Sequence, residues 1–180
     1  SLEALGYDYK LSFTSNALTL KNPTSNYRVE MDYKLSDTWN SQTIVSKSNT
    51  STDGYYTYLY DLSGESVFTR FVNKQNASTQ TTDIQQNFIG DFKLGELRNR
   101  MVAGIDYFNL TGVDNSSGYV AYGYVTPDGS DIEAGYPLTT AGVDGALANT
   151  NNNNQKTKSH VYSAYVSDVI NFTPALSAMA

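Results

Sequence analysis

The chain has 180 residues and a formal net charge of −6, which disfavours general nucleic-acid binding because that function needs a basic surface. It has no cysteine, which excludes disulfides, thiolate metal ligands and cysteine nucleophiles. The mean hydropathy is −0.43, and no apolar run approaches the ~20 residues that a transmembrane helix needs. Fifteen tyrosines and many Asn, Ser and Thr residues favour strands and turns.

The first part of the chain is predicted to contain a loop, one strand and a short turn. Residues 1–25 are polar and irregular, which is typical of a loop. In residues 27–35 apolar and charged side chains alternate, and this period of two predicts a strand with two different faces. The apolar side chains are Val29, Met31, Tyr33 and Leu35, and the charged ones are Arg28, Glu30, Asp32 and Lys34. A short turn is predicted at 36–38.

The middle of the chain is predicted to be a series of strands that ends in a hairpin. The predicted β segments are 39–47, 55–60, 67–74, 84–94 and 100–109. Residues 39–94 form either two long strands, which meet at a turn at 63–65, or four short ones; we favour two long strands. A turn at 95–98 then joins two strands with alternating faces. Their apolar side chains include Ile84, Phe88, Phe92, Leu94, Met101, Ile105 and Tyr107, and their polar ones include Asp91, Lys93, Arg100 and Asp106.

The lengths of the connections point to a particular architecture. The predicted turns at 36–38, 95–98 and 172–175 are short, whereas the segments 1–26 and 110–157 are long and polar, and the strand 159–170 follows them. Short turns on one side and long loops on the other are typical of outer-membrane barrels. A loop of ~48 residues is also unusual in a compact soluble domain.

Three segments resemble the TonB-dependent siderophore receptors, a family of outer-membrane β-barrels. Residues 88–107, which end in MVAGIDY, resemble a recurring strand–turn–strand of that family, although Asn99 and Arg100 stand where the family usually has His-Thr. Residues 159–174, read SHVYSAYVSDVINFTP, resemble a later barrel strand. Residues 28–45, with the turn LSDTW, resemble an earlier hairpin. The three matches occur in order and span most of the chain.

The resemblance implies uptake of ferric siderophores across the bacterial outer membrane. The expected partners are the ferric siderophore, outer-membrane lipid and the TonB complex, which would act through a plug domain that this chain lacks. The whole chain, residues 1–180, would belong to one barrel domain of roughly 22 strands in a larger protein. We therefore predict an all-β fold: an antiparallel up-and-down transmembrane β-barrel segment of about five strands plus the start of a sixth, with long extracellular loops.

Two other kinds of protein remain open on the residues alone. Alternation does not separate a lipid-facing wall from one sheet of a soluble sandwich, since both are apolar on one side. The first alternative is therefore a soluble β-rich surface adhesin or glycan-binding module. The second is a non-gated outer-membrane porin, which would lack a plug domain.

The tyrosines are the candidate ligand-binding residues. No catalytic constellation is present and His160 has no metal-spaced partner, so we expect no enzymatic activity, no cofactor and no metal site. The sequence around Asp128, Ser130 and Asp131 is predicted to be a turn. An iron–siderophore chelate brings its iron already coordinated and needs aromatic faces and phenol hydrogen bonds. The candidates are Tyr119, Tyr122 and Tyr124 in the long loop and Tyr55, Tyr56 and Tyr58 in a strand. Loop packing, cross-strand pairing or an interfacial girdle would be alternative roles.

The faces of the predicted strands lead to an expectation about orientation. The apolar set of Val29, Met31, Tyr33, Phe88, Phe92, Leu94, Met101, Ile105 and Tyr107 is expected to face lipid. The charged set of Arg28, Glu30, Asp32, Lys34, Asp91, Lys93 and Asp106 is expected to face the lumen. Trp39 is expected in an interfacial girdle near the short turns. The loop that carries Tyr119, Tyr122 and Tyr124 is expected to lie outside the wall, so that substitutions there leave folding unchanged.

Overall fold

The fold is an open antiparallel β-sheet, as the sequence predicts. The described residues also include one short helix, which was not predicted. A computed structural model describes residues 6, 10–61, 67–127, 129, 135–173 and 175–180. Its elements are β1 (Leu20–Lys21), β2 (Thr24–Lys34), β3 (Trp39–Tyr60), β4 (Phe68–Leu94), β5 (Leu97–Asp114), β6 (Val120–Val125), α1 (Thr140–Leu147), β7 (Gln155–Thr173) and β8 (Leu176–Met179).

The order of the strands in the sheet follows their order in the chain. The path is β1-β3-β4-β5-β7-β8, with β2 also paired to β3 and β6 also paired to β4. Strands β2, β3, β4, β5 and β7 are long, and the four-residue β8 starts a further one. The predicted up-and-down segment of about five strands plus the start of a sixth is therefore confirmed. The short strands β1 and β6 were not predicted.

Residues 39–94 form two long strands rather than four short ones. Strand β3 has 22 residues and β4 has 27, and both continue without interruption through their polar middle parts. Each is about twice as long as the ~9–11 residues with which a strand crosses a bilayer. The turn predicted at 63–65 lies outside the described residues. The favoured two-strand version is confirmed by the continuous strands on either side of it.

Two turns are tighter than predicted. The turn expected at 95–98 consists of Gly95 and Glu96, and β5 already begins at Leu97. Gly95 has a φ of 63°, which only glycine adopts without strain, and a two-residue connection needs such a residue. The other difference is in β7, which continues to Thr173 through residues predicted to turn. Pro174 lies outside the described residues.

The long segments predicted as loops contain regular structure. Residues 110–157 include the end of β5, the whole of β6 and α1, and the start of β7, and residues 1–25 include β1 and the start of β2. Helix α1 has eight residues and begins after Thr139, whose hydroxyl accepts a hydrogen bond from the Gly142 amide at 3.1 Å. These elements are short and are held by residues far along the chain. Their own sequences therefore show little of the hydrophobic periodicity by which a strand or helix is predicted.

The chain divides into two compact units. Unit 1 comprises residues 1–23, 50–78 and 113–156, and unit 2 comprises residues 24–49, 79–112 and 157–180. Unit 1 has a cluster of buried apolar side chains: Leu18, Val72, Tyr122, Leu138, Val143 and Leu147. In unit 2, Ile44 is the one buried hydrophobic residue among those described, whereas Val29, Met31 and Ile105 are 60–68% exposed. Unit 1 thus has a buried apolar core among its described residues, whereas unit 2 leaves many of its apolar side chains exposed. None of the described helices has the length and apolar character needed to cross a membrane.

Candidate functional site

The two faces of unit 2 differ in their chemistry. On one face the ring of Trp39 stacks on Phe92, with centroids 5.6 Å apart, and covers Gly90, where a Cβ would lie 2.9 Å from the indole. On the same unit the ring of Tyr107 lies 5.0 Å from that of Tyr162. Aromatic side chains therefore interlock from strand to strand, and glycine supplies the space for one of them.

The opposite face of unit 2 carries a connected polar network. The side-chain amide nitrogen of Gln42 donates to Glu30 at 2.9 Å and to Asp32 at 3.1 Å. The side-chain amide of Asn87 in turn donates to Oε1 of Gln42 at 3.2 Å. The hydroxyl of Tyr165 donates to Asn87 and extends the network. Nearer the turn at Gly95, Arg98 forms an ion pair with Asp91, and Arg100 lies 3.8 Å from the same carboxylate. The segregation of apolar from polar side chains is as predicted; which face meets lipid stays a prediction.

A group of polar side chains, Ser41, Thr43 and Gln86, lies on the apolar face of unit 2. The hydroxyl of Thr43 donates to Gln86 at 2.6 Å, and the Gln86 amide donates to Ser41 at 2.8 Å. Because these groups bind each other, they avoid much of the cost of an unpaired polar group in an apolar environment. For this reason these polar side chains can lie on an otherwise apolar face.

His160 has a local structural role. Its Nδ1 lies 3.0 Å from the Tyr107 hydroxyl and 3.0 Å from the Asn109 amide nitrogen. Since an amide nitrogen only donates, Nδ1 accepts the bond from Asn109. Among the residues that the structure describes, no three His, Cys, Asp or Glu side chains are grouped so that they could hold a metal ion.

Unit 1 brings four aromatic side chains together in what we call the aromatic cluster: Tyr56, Tyr58, Phe71 and Tyr119. Tyr58 is at its centre, stacked on Phe71 with centroids 5.3 Å apart and edge-on to Tyr119, also at 5.3 Å. Tyr56 lies 6.1 Å from Tyr58. Tyr56 and Tyr119 are 42% and 49% exposed, so the cluster presents ring surface to solvent. Three of the six candidate tyrosines therefore lie together.

The position of Tyr119 follows from the pairing of β6 with β4. In that pair Phe71 is opposite Ala121, and Tyr119 stands just before β6. Phe71 itself was not among the candidate residues. Its own sequence context carried no signal, because its position beside Tyr58 depends on how β3 and β4 are aligned. Long-range strand alignment is not contained in any local pattern.

Tyr122 belongs to the core of unit 1, which corrects the expectation that its segment is a loop outside the sheet. The side chain is 4% exposed, and its hydroxyl donates to the Pro137 carbonyl oxygen at 2.8 Å. Its ring meets Tyr136 edge-on at 5.3 Å. Burial raises the pKa of the Tyr122 hydroxyl above its usual value, and the nearby guanidinium of Arg70 opposes this shift. Substitution at this position would therefore affect folding.

Tyr55 and Tyr124 stand apart from the aromatic cluster. The hydroxyl of Tyr55 donates to Asp144 at 2.9 Å, and the ammonium of Lys74 lies 5.1 Å from the centre of its ring. Tyr124 is opposite Thr69 in the β4–β6 pair and is 55% exposed. The six predicted residues thus form no single site. Their role in ligand binding stays a prediction.

The fold, but not the sequence, matches a known protein. No family model and no curated protein matches this chain. Among solved structures, it is similar to the crystal structure of the ferric-catecholate import receptor Fiu from E. coli K12 in its open form, with a TM-score of 0.71 over 93% of this chain. The fold is that of a β-barrel segment. The sequence identity is 12%, so the likeness concerns the fold alone, and the chain spans 26% of the length of that receptor.

Proposed function

We propose that this chain is part of an outer-membrane receptor that imports ferric siderophores in a TonB-dependent manner. The observation that carries the proposal is the likeness to the ferric-catecholate import receptor over 93% of the chain. The exposed apolar face of unit 2 supports it independently. Side chains such as Val29 and Ile105 are 68% and 61% exposed, which suits contact with hydrocarbon better than contact with water.

In this proposal, the strands of unit 2 form part of the barrel wall. The apolar face, with Trp39, Phe92 and Tyr107, contacts lipid, and the polar network around Gln42 and Asn87 faces the lumen. A water-filled or plugged lumen accepts such polar side chains without a desolvation cost. In this proposal the TonB complex acts through the plug domain of the receptor.

We assign contact with the ferric siderophore to the aromatic cluster. Tyr56 and Tyr119 expose ring surface around the partly buried Tyr58, and the three hydroxyls can donate to the oxygens of a chelate. The iron arrives fully coordinated, so the protein needs no ligand to the metal. In this proposal the chain takes part in binding and transport, and we expect no catalytic role.

Uptake by the full-length protein tests this function. The protein is expressed in an E. coli strain that lacks its own catecholate receptors, and the uptake of radiolabelled iron is measured for a catecholate and a hydroxamate siderophore. Import that requires an intact TonB complex is expected. Uptake that continues without the TonB complex would indicate a porin. A protein that is soluble without detergent and binds no ferric siderophore would indicate an adhesin.

A further inference from the structure

Unit 1 contains a polar cavity of about 270 Å³, open to solvent at the surface, that the proposed import function does not use. It lies beside α1 and is lined mainly by side chains with amide, hydroxyl or charged groups. The side chains that carry the argument are Asp53, Lys74, Asn76, Asn115, Asp144 and Asn152. They come from β3, β4, α1, the segment between β5 and β6 and the segment between α1 and β7, so folding of unit 1 is needed to bring them together.

Four of these residues are exposed to solvent and carry side-chain hydrogen-bonding groups that no other described residue engages. Within the part of the chain that the structure describes, the amides of Asn76, Asn115 and Asn152 and the carboxylate of Asp53 make no hydrogen bond to another side chain or to the backbone. The backbone around them is fixed nonetheless. The backbone N–H of Asn115 donates to the backbone carbonyl oxygen of Asn76 at 2.8 Å. Ser117 and Asn152 form an isolated β-bridge. Each amide side chain offers one acceptor and two donor hydrogens to a ligand.

The charged groups of the cavity are largely neutralised. Lys74 donates to Asp144 at 3.0 Å, and Tyr55 donates to the other oxygen of the same carboxylate at 2.9 Å. Asp53 then carries the remaining formal charge among the groups that line the cavity. An anionic ligand would be repelled by that charge, and a hard divalent cation needs more oxygen ligands of negative charge than one carboxylate supplies.

A neutral ligand with many hydroxyl groups fits these properties best. Adjacent hydroxyls both donate and accept, as do side-chain amides, and a carboxylate accepts from two hydroxyls at once. Leu147 and Ala148 add apolar surface for the C–H face of a ring. The volume is near the lower end of the ~300–1,000 Å³ usual for small-molecule sites, which suits a single sugar ring.

We propose that this cavity binds a neutral saccharide, with Asn76, Asn115, Asn152 and Asp53 as hydrogen-bonding partners. The site is separate from the aromatic cluster, and the inference does not depend on siderophore import. Two sources of the sugar share this chemistry: a free oligosaccharide, and the headgroup of a glycolipid in the same membrane.

Binding of simple methyl glycosides to the full-length protein in detergent tests the proposal. Methyl glycosides of glucose, galactose, mannose and N-acetylglucosamine are compared by saturation-transfer NMR, with glucuronate as an anionic probe. At least one neutral glycoside is expected to bind, and glucuronate more weakly. Asn152→Ala and Asn115→Ala should each weaken binding about threefold to tenfold, the usual effect of losing one hydrogen bond. Asn151→Ala is the matched control, because Asn151 precedes Asn152 and does not line the cavity.

The two sources are distinguished in nanodiscs. Lipopolysaccharide in the disc should compete with the glycosides if a glycolipid is the ligand, and phospholipid alone should not. If the free sugar is the ligand, both discs should bind glycosides equally. Absence of binding across the neutral panel overturns the proposal. So does binding that Asn115→Ala and Asn152→Ala leave unchanged in variants whose folding is intact, or stronger binding of calcium than of any sugar.

Discussion

At the scale of single residues, Tyr58 has the most contacts that matter for the proposed ligand site. It stacks on Phe71 and meets Tyr119 edge-on, so it fixes the relative position of these rings. Tyr124 is a natural comparison, since it is a tyrosine in the same unit that lies outside the aromatic cluster; it is 55% exposed, whereas Tyr58 is partly buried. A difference between the two positions therefore reports on the cluster rather than on loss of a tyrosine.

We expect Tyr58→Ala to weaken binding of the ferric siderophore by about 1–3 kcal/mol, the usual range for an aromatic anchor. Tyr124→Ala should leave the affinity close to that of the wild type. The measurement is the dissociation constant of the full-length receptor, by quenching of intrinsic fluorescence. Equal losses at both positions would show that the cluster has no special role.

The ion pair of Lys74 with Asp144 predicts a pH dependence in unit 1. The hydrogen bonds from Lys74, and to a lesser extent from Tyr55, lower the pKa of Asp144 below its usual value. A carboxyl group with a lowered pKa in the folded state stabilises it above the pKa of the unfolded chain, and this stabilisation is lost as the pH falls through the folded pKa. Since both side chains are close to half exposed, the contribution is about 0.2–1 kcal/mol.

We therefore expect Asp144→Asn to reduce the protection of α1 amides against hydrogen exchange at about pH 7, with the difference from wild type shrinking as the pH falls below the usual pKa of a carboxyl group. Asp53→Asn is the control, because Asp53 makes no ion pair within the described residues. A loss of protection in Asp144→Asn that persists at acidic pH would show that it does not arise from the charge.

At the scale of elements, β6 and α1 depend on Tyr122. This side chain belongs to the buried cluster and binds the backbone just before the helix, at Pro137. Gly142 of α1 approaches so closely that a Cβ there would lie 2.6 Å from the Tyr122 hydroxyl. Strand β6 and helix α1 thus pack against each other through Tyr122.

We expect Tyr122→Ala to destabilise unit 1 by about 3–5 kcal/mol, as is usual for removal of a large buried side chain. Tyr122→Phe, which removes only the hydrogen bond, should cost about 0.5–1.5 kcal/mol. Limited proteolysis of the segment around α1 measures the effect, with exposed Tyr124→Ala as the control. If Tyr122→Ala resists proteolysis as the wild type does, the segment does not depend on this packing.

In unit 2, Gly104 provides the space for Tyr165 between β5 and β7. A Cβ at this position would lie 2.5 Å from the Tyr165 ring and 2.6 Å from Asn87 Oδ1. We expect Gly104→Ala to displace the ring and destabilise the protein by about 1–3 kcal/mol. Gly112→Ala in the same strand is the matched control, since its Cβ would be 4.0 Å from Thr157. Unfolding in urea in the presence of detergent compares the two, and equal stabilities would contradict this account.

At the scale of the whole molecule, the exposed apolar face of unit 2 predicts contact with lipid. We expect Ile105→Arg to destabilise the folded protein in a bilayer by about 2–4 kcal/mol, if the position is near the midplane. Val102→Arg, on the other face of β5, should have a smaller effect, because a polar lumen accepts the charge. Folding yield into lipid vesicles measures the difference. A larger effect at Val102 would reverse the orientation of the sheet.

Several features of this protein are determined by its sequence alone. The alternation of Val29 and Met31 with Glu30 and Asp32 determines the two faces of β2, because side-chain direction in a strand depends only on parity. The short turn at Gly95 is equally local, since a glycine with positive φ favours it. The strand type, the up-and-down order and the segregation of the faces could therefore be predicted.

The tertiary structure decided the features that depend on distant residues. Tyr58 meets Phe71 and Tyr119 only after β3, β4 and β6 have paired, and Lys74 meets Asp144 across 70 residues of chain. The sequence around α1 shows no clear hydrophobic periodicity that would predict a helix. The helix is held instead by its packing on Tyr122. Local patterns record what a residue prefers, whereas strand register and core packing are properties of the whole chain. For this reason the long strands and their two faces could be predicted from the sequence, whereas the aromatic cluster and the polar cavity could not.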